Sequence, residues 1–252
     1  MKTTLKPTLI KVPAVTFGFW LIKISATTLG ETGGDAVSMS MGLGYLFSTF
    51  FFAAIFLAAV FAQVRATRFS PVLYWTTIIA TTMVGTTLAD FADRTLGIGY
   101  AGGSSLLLLC LLGSLFTWQR TLGTVSVDTI TSRKAEVFYW ITIMFSQTLG
   151  TALGDWTSDS AGFGYMGAAI VFGSLLLVTM SAYLSTLVSR VWLFWIAFIL
   201  TRPLGAVLGD FLDKPVTAGG LALNRYAASA ALLAVMLACI WLFPQRASSK
   251  AH

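Results

Sequence analysis

The chain has 252 residues, of which 56% are hydrophobic and only 10% charged, with a mean hydropathy of +0.82; a soluble domain carries about a quarter charged residues, so a water-soluble protein is excluded. The net charge of +6 comes from basic residues scattered between apolar runs, a pattern that fits orientation in a bilayer and no nucleic-acid surface. The single histidine is His252, and Cys110 and Cys239 each lie inside an apolar run, so haem, imidazole-bound zinc and Ser-His-Asp or Cys-His catalysis have almost no material; no enzyme and no cofactor are expected.

Residues 1–16 form a basic arm with Lys2, Lys6 and Lys11. No small-x-small cleavage site follows it, so the next apolar stretch is expected to stay as a span and not to be removed as a signal. Segments of about twenty apolar residues are long enough to cross the hydrocarbon core. Eight occur, at roughly 17–38, 42–64, 72–92, 97–119, 137–157, 162–187, 191–212 and 219–243.

Alternate segments share one pattern. FWLIKISATTLGETGGDAVSMSMGLGY starts at Phe19, YWTTIIATTMVGTTLADFADRTLGIGY at Tyr74, YWITIMFSQTLGTALGDWTSDSAGFGY at Tyr139 and FWIAFILTRPLGAVLGDFLDKPVTAGG at Phe194. Aligned on Trp20, Trp75, Trp140 and Trp195, they match without gaps. Glycine stands ten residues on (Gly30, Gly85, Gly150, Gly205) and aspartate fifteen on (Asp35, Asp90, Asp155, Asp210). Agreement at fixed offsets identifies a fourfold internal repeat.

Each copy reads as a helical hairpin: a patterned first helix, a tight turn at Gly42–Gly44, Gly97–Gly99 or Gly162–Gly164, and a plainer second helix. The copies cover roughly 17–68, 72–120, 137–190 and 191–243 of a single transmembrane domain. The loop 121–136 reads as a polar cytoplasmic connector, and the tail QRASSKAH as disordered. Lys2, Lys6, Lys11, Arg65, Arg68, Arg120, Arg133, Lys134, Arg190, Arg246 and Lys250 flank the side where copies begin and end. Both termini are therefore placed in the cytoplasm, and all four hairpins point the same way. The expected fold is an all-α membrane protein of eight transmembrane helices, four parallel tandem hairpins with pseudo-fourfold or two-by-two symmetry.

Two stripes run down each patterned helix, each spaced by four and so near one face. One is small: Ala26, Gly30, Gly34, Ser38 in the first copy, and likewise Gly85 and Ala89, Gly150 and Gly154, Gly205 and Gly209 in the others. This spacing lets backbones approach closely in lipid, so the glycines are read as packing. The other stripe is polar. It reads Lys23, Thr27, Glu31, Asp35; Ile78, Thr82, Thr86, Asp90; Ile143, Gln147, Thr151, Asp155; and Phe198, Arg202, Ala206, Asp210.

Fifteen residues of helix rise about 22 Å against a core of roughly 30 Å. With each tryptophan at the cytoplasmic interface, each aspartate lies just below the outer surface. There it meets an unfavourable helix dipole, desolvation and the charge of its counterparts. Compensation is expected from a bound cation, from protons, or from Lys23, Arg94, Arg202 and Lys214. Ionisable residues inside spans mark pathways or sites. The competing reading has each aspartate capping the turn that follows, and that reading is preferred for Asp93, Asp159 and Asp213.

Departures from the repeat carry more information than the repeat. Lys23 and Glu31 occur only in copy one, Gln147 only in copy three, and Arg202-Pro203 only in copy four. Glu31 and Arg202 stand about one helical turn apart in the repeat frame and are placed to pair across the bundle. Pro203 is expected to break its helix at the same depth, which is tolerated where a helix lines a cavity.

FWLIKISATTLGETGGD, VDTITSRKAEVFYW and LTRPLGAVLGD together resemble a bacterial family of multi-pass inner-membrane proteins made of four tandem copies of a two-span, Trp-anchored repeat of unknown function. The resemblance covers nearly all of residues 11–243. It implies the bacterial cytoplasmic membrane and this architecture, and no activity.

The functional expectation therefore rests on the residues. It is a secondary transporter of a small cation, a divalent metal ion of manganese, magnesium or calcium type, in exchange for protons through a central polar cavity. Glu31, Asp35, Asp90, Asp155 and Asp210 would bind the metal ion or protons, and Thr27, Thr86, Gln147 and Thr151 would add neutral oxygens. Lys23 and Arg202 would be internal counter-charges. An all-oxygen set suits hard ions. The alternatives are a passive ion channel, an anion or organic-acid transporter using Lys23 and Arg202, and a scaffold or sensor without transport. Expected partners are the lipid bilayer and a small inorganic ion, with no nucleic acid; assembly into a homo-oligomer is left open.

Overall fold

A computed structural model describes residues 10–185 and 188–248; Lys2 and Lys6 of the basic arm, and Lys250 and His252 of the tail, lie outside the described residues. The described residues contain eight α-helices: α1 Phe17–Asp35, α2 Tyr45–Arg65, α3 Pro71–Asp90, α4 Tyr100–Leu122, α5 Arg133–Asp155, α6 Gly164–Ser185, α7 Arg190–Asp213 and α8 Arg225–Leu242. Their starts follow from capping. Thr16, Ser70 and Ser132 each accept a backbone N–H three residues on, and Asn224 accepts those of Tyr226 and Ala227. Gly42, Gly44, Gly97, Gly99, Gly162 and Gly164 all have positive φ, the conformation that the predicted tight turns require.

The eighth element starts later than its apolar run. Residues 219–224 fold back as a loop, and the N–H groups of Leu221 and Leu223 satisfy the carbonyls of Phe211 and Leu212 at the end of α7. Six of the eight helices are long and apolar enough to cross a membrane, as befits a multi-pass membrane protein. Those six leave out α1 and α5, whose stretches carry Lys23, Glu31 and Asp35, and Arg133, Lys134, Glu136 and Asp155.

The packing differs from a row of hairpins. Within each copy the two helices scarcely touch. Instead α2 packs on α3, α4 on α5, α6 on α7, and α8 returns to α1. Meanwhile α1, α3, α5 and α7 form a closed inner ring, each touching the next and α7 touching α1. The second helices lie outside, with Phe47, Phe61, Leu109, Phe116, Leu177 and Trp241 exposed on them. This apolar outer surface is compatible with lipid contact.

Glycine sets the closeness of the ring. A side chain at Gly30 would overlap Thr82, at Gly85 the Gln147–Thr148 backbone, at Gly150 Arg202, and at Gly205 Thr27. Each of those partners lies seven residues after the tryptophan of the next copy. The same contact thus recurs at all four junctions, and the four inner helices run the same way in register. The packing role read for these glycines holds.

Candidate functional site

At the tryptophan end of the ring, Phe19, Tyr74, Trp75, Tyr139, Trp140, Phe194 and Trp195 form a buried aromatic layer together with Trp118 from α4. The Tyr74 and Tyr139 hydroxyls lie 2.6 Å apart in a hydrogen bond. Trp75, Trp140 and Trp195 are therefore core residues and not an interfacial belt, because other parts of the chain cover them. Val12 of the arm and Val125, Val127 and Ile130 of the central loop complete that cluster. The Trp195 indole donates to the Val125 carbonyl at 2.9 Å and the Trp75 indole to Gln245 at 3.2 Å.

The loop expected to be a plain connector is thus a plug. The described part of the tail, read as disordered, is docked on the arm: the Ser248 N–H donates to the Val12 carbonyl at 2.9 Å, and the Ala14 N–H donates to the Arg246 carbonyl. Lys11 is held by Glu136 at 2.6 Å and donates to the Gln63 carbonyl at 2.9 Å.

Above this layer the polar stripes of all four inner helices face inward, and every residue of these stripes is buried. The first level holds Lys23 among Ile78, Ile143 and Phe198. Its Nζ lies 4.2 Å from the Phe198 ring centroid and has no hydrogen-bond partner.

The next two levels form one network. Arg202 Nη1 donates to Glu31 Oε2 at 3.0 Å, and Nη2 donates to Thr86 Oγ1 at 2.7 Å and Thr151 Oγ1 at 2.5 Å. Thr86 in turn donates to the same Glu31 oxygen at 3.2 Å. The Glu31–Arg202 pair expected from the repeat frame is present. Thr27 is spent on packing, since its hydroxyl donates to the Thr201 carbonyl at 3.2 Å and to carbonyls of its own helix. Gln147 reaches Thr81 at 3.5 Å.

Two expectations are corrected here. The axis is not an open polar cavity, because the stripe residues fill it against each other. A cavity of about 420 Å³ lies off the axis instead, beside α1, α6 and α7, lined largely by apolar residues such as Ile24, Leu176 and Met180. Nor does Pro203 break α7, which runs unbroken through it. Its ring packs towards Gly150 of the neighbouring helix, so close packing holds the helix where one backbone bond is missing.

The four aligned aspartates are all buried at the far end of the ring. Asp35, Asp90 and Asp155 make no side-chain cap. The helix continues past each of them as a π turn, at Ala36–Ser40, Phe91–Thr95 and Trp156–Ser160. Their partners are basic side chains. Lys214 Nζ lies 2.5 Å from Asp35 and 3.0 Å from Asp210, bridging α1 and α7. Arg94 lies 2.8 Å from Asp90 and 3.8 Å from Asp155, bridging α3 and α5.

Asp213, read as a cap, takes Arg225 Nε at 2.5 Å. Its carboxylate, with those of Asp35 and Asp210, offers oxygens within 4.8 Å of one another, close enough to share one ion. Glu31 does not join this trio, being committed to Arg202. Lys214 occupies the space between the carboxylates, so a cation held there has to displace its ammonium group.

Arg94 and Lys214 were named from the sequence only as sources of charge, and Arg225 was missed. The signal for the first two is in the repeat frame. Four residues after the aligned aspartate stand Met39, Arg94, Asp159 and Lys214, so copies two and four carry a base where one and three do not.

Compared with curated proteins and with solved structures, the chain has no match. Over residues 18–69, 73–124, 138–187 and 193–247, however, it matches four times in tandem the family described as Repeat of Unknown Function (DUF347), and the chain belongs to that family.

Proposed function

We propose that this protein is a secondary transporter of a small, hard divalent cation in exchange for protons, with the aspartate end of the inner ring as its binding site. In this reading all eight helices span a bacterial inner membrane with pseudo-fourfold symmetry, and both termini are cytoplasmic. The observation that carries the proposal is a charge deficit. Among the described residues, the buried cluster of Asp35, Asp90, Asp155, Asp210 and Asp213 is matched by three basic side chains, Arg94, Lys214 and Arg225.

A formal deficit of two charges is what one divalent ion, or two protons, would neutralise, and that equivalence supports exchange. The donors are all carboxylate oxygens, which suit manganese, magnesium or calcium. Lys214 is a tethered cation: it holds Asp35 and Asp210 together while no ion is present and withdraws when one binds. The closed aromatic layer and the filled axis fit an occluded arrangement and argue against a permanently open channel.

The test is flux in proteoliposomes. Purified protein should catalyse saturable uptake of one of these ions, driven by a pH gradient, and Asp210→Asn should abolish it. Lys214→Gln should bind the ion more tightly, with the thermal shift at a given ion concentration larger than in the wild type. Flux that is unsaturable and indifferent to pH would replace this reading by a channel. Absence of any flux, with all four aspartates dispensable, would replace it by a scaffold.

A further inference from the structure

We infer that the off-axis cavity beside α1, α6 and α7 is a binding groove for one anionic phospholipid, with an acyl chain along the groove and the phosphate on Arg190. The groove is separate from the aspartate cluster and does not depend on ion transport. Three helical stripes build its walls. On α7, Arg190, Phe194, Ala197 and Thr201 stand three or four residues apart and so share one face. On α1 the stripe is Phe17, Trp20 and Ile24, and on α6 it is Leu176, Met180 and Tyr183.

The groove runs lengthwise. Helix α6 ends at Ser185 and α7 begins at Arg190, so the two packed helices are antiparallel, with Tyr183 at the Arg190 end and Leu176 at the Thr201 end. From Arg190 to Thr201 the groove follows about 16 Å of α7, close to half of a hydrocarbon core of roughly 30 Å. That is the depth of one leaflet. Leu177, Met180 and Leu184 on its outer edge are exposed, while Leu193, Phe194 and Thr201 beneath are buried. An empty apolar groove forfeits dispersion contacts along its whole lining, and what lies beside it in a bilayer is acyl chain. Trp20 marks the place within the repeat. Its counterparts Trp75, Trp140 and Trp195 are buried in the aromatic layer, whereas Trp20 is half-buried and lines the groove.

The two ends differ, and the difference selects the headgroup. At the deep end the Thr201 hydroxyl donates to the Phe198 carbonyl of its own helix, which leaves that end apolar. The other end carries Arg190, exposed and with its guanidinium 5.0 Å from the Tyr183 ring centroid. Among the described residues Arg190 has no ion-pair partner. Asp128, which borders the same end, is engaged by the tail and accepts from the Ser248 hydroxyl. A guanidinium offers phosphate a planar fork of donors. Arg65, Arg120 and Arg133 stand at the same end of the bundle, where basic residues draw anionic lipid to the leaflet.

The experiment is native mass spectrometry of the purified, delipidated full chain, with phosphatidylglycerol or phosphatidylcholine of equal chain length titrated in detergent. One phosphatidylglycerol should bind saturably per chain, ahead of phosphatidylcholine. Ala197→Trp, which fills the groove, should remove that binding, and Arg190→Gln should weaken it roughly fivefold. Free glycerol phosphate, a headgroup without chains, should not compete. Equal retention of the two lipids, a ladder of adducts without a saturable first step, competition by glycerol phosphate, or unchanged affinity in either variant overturns the site. Should Ala197→Trp fail to fold, Arg190→Gln, at an exposed position, decides together with the lipid comparison.

Discussion

Among the single residues, Glu31 has the most demanding position. It is buried, and its carboxylate receives both Arg202 Nη1 and the Thr86 hydroxyl on one oxygen. Removing one member of a buried pair strands the other, at about 3–5 kcal/mol, whereas replacing both by apolar groups is often neutral. Glu31→Gln should therefore lower stability by that amount, and Glu31→Leu combined with Arg202→Met should lose much less. Denaturation of the wild type, Glu31→Gln, Glu31→Leu, Arg202→Met and the double variant in one detergent tests it; a double variant as unstable as the sum of its two single losses would show that the pair does not act as a unit. This pair was legible in the sequence because both residues break a fourfold pattern at adjacent levels. The roles of Lys214 and Arg225 were not. Lys214 stands inside the repeat frame, but its partner Asp35 belongs to another copy; Arg225 lies beyond the gapless repeat, after a loop at 214–224 that follows only the last patterned helix.

At the level of the helices, the glycines divide into two kinds that look alike in the sequence. A side chain at Gly85 would meet the Gln147 carbonyl carbon at 2.9 Å and the Thr148 nitrogen at 3.0 Å, both backbone, whereas Gly113 in α4 has nothing within 4 Å. Overpacking against backbone forces the helices apart, at about 1–3 kcal/mol. In open space, alanine gains up to about 1 kcal/mol of helix propensity over glycine. Gly85→Ala should thus lower Tm and Gly113→Ala should leave it unchanged or raise it; a fall of similar size in both would mean that junction contact is not what the ring glycines provide. The repeat frame predicted close packing but not the partner. It suggested a second helix folded onto its own first helix, because the turn between them is short. The turn only reverses the chain, and the pairing with the next copy is decided by side chains that no single copy contains.

The whole molecule is closed by two kinds of contact, and only one follows the chain. Covalent order takes α1 through to α8, but the ring is completed by α8 on α1 and α7 on α1. At the other end, the arm, the central loop and the tail are stitched together by Ala14 to Arg246, Ser248 to Val12, Trp75 to Gln245 and Lys11 to Glu136. Composition alone revealed a membrane protein but not this plug, because Val12, Val125, Val127 and Ile130 are isolated apolar residues in segments too polar to look like core.

The arrangement makes a specific demand. A chain divided after Gly123 gives two halves, 1–123 and 124–252, and neither can satisfy its own end helices. In the first half, α4 lacks α5 and α1 lacks both α7 and α8; Glu31 lacks Arg202, and Asp35 lacks Lys214. A half expressed alone should aggregate or associate irregularly, since four polar levels would be left without their partners. Co-expressed, the halves should purify as a one-to-one complex whose Tm falls when Glu31→Gln is introduced into the first half. A monodisperse, monomeric first half of high Tm would show that each pair of copies is self-sufficient, and that the closed ring follows from the halves without being needed to stabilise them.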